Sequence, residues 1–89
     1  MALVEGSRDF EALFRTVVGE AVGEGTQGQI AVAWVIRNRV RDPRWPNTIH
    51  DVCHQPYQFE CMTNSNLTAL LNSPTAQEIR RWLPRVYET

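Results

Sequence analysis

Glu20 and Glu24 are the two residues whose type and setting could do acid–base chemistry. They lie in Gly19-Glu20-Ala21-Val22-Gly23-Glu24, just after an apolar run that reads as a helix. With ~100° per residue and Leu13 at zero, Val17 falls near 40°, Ala21 near 80° and Glu20 near −20°. That puts Glu20 on the margin of the apolar face, in the last turn. Position 16 is Thr and position 24 is Glu, so neither helical neighbour is a cation. Partial burial, the negative end of the helix dipole and the Glu24 charge would all favour a protonated carboxyl. Such a group can act as a general acid toward a glycosidic oxygen. The plain alternative is two solvated carboxylates at a frayed helix end.

The elements that must hold Glu20 are helical. Ser7 or Asp9 can cap a first helix, whose buried face is Phe10, Leu13, Phe14, Val17, Val18 and Ala21. Gly23 is its expected stop. Thr26 and Gln29 form a capping box for a second helix from about Gly28 to Val40. That helix is apolar nearly all round and reads as the buried central one. Trp34 belongs to the core rather than to a sugar platform on this reading, while Trp45 suits either. Asn38 suits either a buried role or a solvated helix end. Asn47 can cap a turn over Thr48 to Cys53, and Leu67 to Leu71 reads as a short helix. Ser73-Pro74 opens a last helix that Pro84 should stop near Leu83. Residues 1–8 read as a flexible tail, and 9–89 as a single domain. The fold class is all-α, with at most a vestigial hairpin in the long loop.

That loop carries Gln55, Tyr57, Gln58 and Phe59, two amides and two aromatics within five residues. Sugar sites use flat faces for rings and amides for hydroxyl and acetamide groups. These four are candidate substrate-binding residues. His50, Cys53, His54 and Cys61 also cluster, but His-x2-Cys-His-x6-Cys matches no common zinc spacing. No metal and no cofactor is expected. Cys53 and Cys61 could form a disulfide or remain free thiols.

The chain has 89 residues and a formal net charge of −1, with 43% hydrophobic and 21% charged residues. One ordinary globular domain fits. A nucleic-acid partner would call for a basic stripe, which is missing. The longest apolar run, Ile30 to Ile36, is too short to span a bilayer. The first residues lack the basic start and apolar core of a signal peptide.

Four blocks carry a resemblance: GEAVGE (19–24), GQIAVAWVIRNRV (28–40), WPNTI (45–49) and QPYQF (55–59). In order and spacing they resemble the SleB-type cell wall hydrolases, the catalytic domains of spore cortex-lytic enzymes and related phage lysins. The resemblance covers roughly residues 10–62. It implies a lysozyme-like fold and a peptidoglycan substrate cut between N-acetylmuramic acid and N-acetylglucosamine, usually by lytic transglycosylation. The family's catalytic glutamate matches Glu20, and its cleft-lining block matches Gln58 and Phe59. Glu24 would be a second carboxylate if water were the nucleophile. Chitin, with the same linkage and acetamide, is the runner-up substrate. The resemblance also implies a place in the cell envelope or outside the cell. Without a signal peptide, a phage lysin or a cytosolic store also fits. The sequence departs from the family in having Val22 where Arg is common. It also stops at Thr89, where the family continues into a segment rich in Asp, Gly and Tyr that closes the cleft. Fold should survive that difference better than activity, so a silent glycan-binding or structural domain is the alternative function. A small helical interaction module is the third.

Overall fold

The computed structural model describes residues 3–55 and 66–89, and these form five helices. Helix α1 spans Arg8–Ala21. The Ser7 hydroxyl accepts from the Phe10 backbone N–H at 3.1 Å, and Asp9 and Glu11 add negative charge to the first turn. Both features satisfy the positive end of the helix. The apolar face read from the sequence is buried throughout, and Thr16 is buried with it. Its hydroxyl donates to the Ala12 carbonyl at 2.8 Å, which lets a polar group lie in the core.

Helix α2 spans Gly25–Val40 and differs from expectation in two ways. It starts earlier, and Thr26 lies inside it rather than capping it. The N-cap is Glu24, whose side chain makes no capping bond. Nor is α2 the buried centre. Its buried residues are Gln29, Ala33, Ile36 and Arg37, while Trp34 and Val35 are 38% and 43% exposed. The central helix is α1, which packs against all four others. Helix α2 is covered by α1, α3 and α5 on part of its girth, and the rest of its apolar surface faces outward. Trp34 is therefore not core. The Arg37 guanidinium lies over its ring, 4.6 Å from the centroid. Asn38 is exposed.

The turn after α2 is held by Asp42, whose carboxylate accepts from the Arg44 backbone N–H at 2.9 Å and its guanidinium at 2.7 Å. These bonds draw the Asp42 carboxyl down to about 2. The half-buried Trp45 packs under the Arg39 guanidinium at 4.2 Å. Helix α3, Ile49–Cys53, is capped by Thr48, one residue later than expected. Helix α4, Leu67–Leu71, has the predicted bounds.

Helix α5, Pro74–Glu88, starts as predicted, with the Ser73 hydroxyl accepting from the Ala76 N–H. It does not stop at Pro84. A proline costs one backbone bond and crowds the preceding turn. Here Ala76, Ile79 and Leu83 are buried, and Tyr87 extends the same face onto the core. Packing along that stripe carries the helix past the proline. Leu3 also packs on the core, and its N–H donates to the Glu88 carboxylate. The vestigial hairpin would fall mostly in 56–65, outside the described residues.

Candidate active site

Glu20 lies in the last turn of α1, as its place in the apolar run predicts. Its side chain is exposed rather than set into the apolar margin, since Val17, Val18 and Ala21 turn their faces into the core.

Glu24 is not a helical neighbour of Glu20. Helix α1 ends at Ala21, so Glu20 lies in its last turn while Glu24 is the N-cap of α2, at the end of an elbow that starts at Val22. Val22 N–H bonds back to the Val18 carbonyl and Glu24 N–H to the Ala21 carbonyl, both at 3.0 Å. Gly25 has φ +82°, a left-handed conformation that glycine adopts without strain. Gln29, 3% exposed, donates its side-chain amide to the Val22 carbonyl at 3.4 Å. It ties the first turns of α2 to the cap of α1. From the sequence, Gln29 reads only as half of a capping box. The one signal of its role is a lone amide beside an all-apolar run.

Helix α3 runs beside α1 in the same direction. At its start the His50 backbone N–H donates to the Asp9 carboxylate at 3.0 Å. At its end Cys53 packs against Thr16, nearly two turns further along α1. Gln55 is half-buried, and its Oε1 is fully buried without a hydrogen-bond partner. Tyr57, Gln58 and Phe59 lie outside the described residues.

Cys53 is a buried free thiol, and Cys61 lies outside the described residues. Burial pushes the Cys53 thiol up to about 11, with Thr16 pulling it partly back and the Asp9 charge adding to the rise. The folded state thus holds this proton more tightly than the unfolded chain does. Stability from this group is complete below about pH 9 and is lost as pH rises toward 11, by about 2–3 kcal/mol in all. Melting curves from pH 8 to 11 should show a steeper decline for the wild type than for Cys53→Ala. Parallel curves would rule the effect out.

The His–Cys cluster has other partners. His50 and His54 stack at 4.2 Å, and His54 Nδ1 donates to the His50 carbonyl at 2.7 Å. Among the described residues no three His, Cys, Asp or Glu side chains are grouped to hold a metal ion. No helix of the described residues is long and apolar enough to cross a membrane.

The sequence profile of the Cell Wall Hydrolase family matches residues 23–88. The chain belongs to the cell wall hydrolase family. The match takes in Glu24, the elbow glycines and Gln29, and begins three residues after Glu20. The chain is 36% identical over 72 residues to a spore cortex-lytic enzyme of Bacillus subtilis, covering 81% of this chain and 23% of that one. It is 37% identical over 59 residues to a spore cortex-lytic enzyme of Bacillus cereus, covering 66% and 23%. It is 38% identical over 69 residues to the cell wall hydrolase CwlJ of Bacillus subtilis, covering 72% and 49%. The chain thus spans between about a quarter and a half of the length of these relatives. No solved structure matches it.

Proposed function

We propose that this domain cleaves the β-1,4 bond between N-acetylmuramic acid and N-acetylglucosamine in peptidoglycan, as a lytic transglycosylase. The observation that carries the reading is the exposed Glu20 on the last turn of α1, in a chain of the cell wall hydrolase family. The names of the relatives point to the same wall material and to work at the cell envelope.

In this mechanism the protonated Glu20 carboxyl gives its proton to the glycosidic oxygen as the bond to C1 breaks. The resulting carboxylate then takes the proton from the muramoyl 6-hydroxyl as that oxygen closes on C1. The products are a 1,6-anhydromuramoyl end and a free 4-hydroxyl on the leaving sugar. One carboxyl serves both steps, because the internal hydroxyl stands where water would otherwise attack. Gln55, Tyr57, Gln58 and Phe59 are proposed to hold the glycan, the amides on its acetamide and hydroxyl groups and the rings on its sugar faces.

Mass spectrometry of the soluble fragments released from purified peptidoglycan tests the proposal. Anhydromuramoyl ends are the expected products. Reducing muramic acid ends would replace it with hydrolysis, where a second carboxylate activates water and Glu24 is the first residue to try. The absence of soluble fragments, with the protein retained on the insoluble wall, would overturn the enzyme reading in favour of a glycan-binding domain.

A further inference from the structure

Two glycines in the first turns of α2 do different things. Gly25 supplies a backbone angle, φ +82°. Gly28 has ordinary helical geometry and supplies space instead. A Cβ built on Gly28 would lie 2.7 Å from the Cβ of Glu24 and 3.6 Å from its Cγ. Non-bonded carbons keep about 3.5–4.0 Å apart. The bare Cα of Gly28 therefore lets Glu24 lie directly on α2, one turn down the helix. The close atom is the Cβ, which is fixed to the backbone, so a side-chain rotation cannot relieve the crowding. Any larger residue at 28 must push the elbow itself. Gln29, the next residue, is the one that bonds the Val22 carbonyl. Glu20 is two residues before Val22.

We propose that Gly28 is a positioning residue for the site. By admitting the Glu24 backbone against α2, it sets the closure of the elbow and hence where Glu20 sits relative to α2. The inference rests on Glu20 being the acid–base group. Gly28 acts through the elbow, with no contact to substrate.

A purely structural role for Gly28 would appear as lost stability. Alanine is a better helix former than glycine, so Gly28→Ala should stay folded. Its cost should appear in turnover, because an ångström of misplacement at a reacting group can cost roughly a hundredfold. The expected result is a ten- to hundredfold drop in kcat, with a smaller change in KM, in a protein whose circular dichroism stays that of the wild type. The same substitution is then made in two further backgrounds. In Glu24→Ala the Cβ remains, so Gly28→Ala should cost as much as before. In Glu24→Gly the Cβ is gone, and the cost should disappear.

The Gln29 side-chain amide resonances give a second readout that needs no activity. They should move in Gly28→Ala, move likewise in the Glu24→Ala background, and stay in place in the Glu24→Gly background. Wild-type kcat in Gly28→Ala, or an equal cost in the Glu24→Gly background, would overturn the proposal. Were the wild type to release no fragments at all, the enzyme reading would fall. The Gln29 resonances would still decide whether Gly28 sets the elbow.

Discussion

Replacing Glu20 by Gln should lower peptidoglycan cleavage by roughly a thousandfold or more while the protein stays folded. General acid–base catalysis by one placed group contributes roughly 10²–10⁴-fold. Here the same carboxyl is asked to serve twice, first as acid and then as base. Gln preserves the shape and hydrogen-bonding reach but cannot cycle a proton, so both steps are lost together. Glu20 is exposed, and surface substitutions usually alter stability by no more than about 0.5 kcal/mol. A circular dichroism melt beside the turnover assay separates the two effects. Retained cleavage in Glu20→Gln would remove this residue from the chemistry. Glu24→Gln is the informative companion. If water is the nucleophile it should be crippled as well, and if the internal hydroxyl attacks it should keep most of its rate.

The largest stability effect should come from Phe14→Ala. Phe14 is 2% exposed and stacks on Phe10 with ring centroids 6.1 Å apart. The Arg80 guanidinium lies 4.2 Å from its centroid while bonding both oxygens of Glu11, at 3.1 and 3.2 Å. The guanidinium is held over the rings by α1's own carboxylate, so α5 is clamped to α1 through Phe14. Removing the ring leaves a cavity and takes away the surface on which the charge rests. Truncating a core Phe costs about 3–5 kcal/mol. A domain of this size has about 5–15 kcal/mol in total, and often less. The expected outcome in chemical denaturation is a loss of a third or more of the unfolding free energy. A loss below about 1 kcal/mol would mean that the Phe10–Phe14–Arg80 stack is not what joins α5 to α1.

Much of this architecture can be read from the residues. Ser7, Ser73 and Pro74 announce helix starts because a side-chain oxygen or a missing N–H has a clear local consequence. The apolar face of α1 follows from spacing alone, and Glu20 falls on the helix end where its position in the run puts it. The misses arise where local signals compete with packing. Thr26 and Gln29 have capping-box spacing, but Gly25 turns the chain earlier and Gln29 is drawn to the Val22 carbonyl. Pro84 is a breaker by itself, yet the stripe that ends on Tyr87 overrides it. The all-apolar α2 reads as central because periodicity reports which residues are greasy, not how many neighbours a helix has. The role of Gly28 depends on a distance across one turn, which no composition or spacing argument supplies.

The packing of every other helix onto α1 also orders the motions of the domain. An element touched by all its neighbours cannot open without releasing them, so its amides should exchange with solvent only when the whole domain unfolds. Among the described residues helix α4 touches α1 and α5 alone, so it can loosen at lower cost. The proposed acid therefore rides on the helix that is last to let go, and the motions of the domain should begin at α4 rather than at α1 or α2.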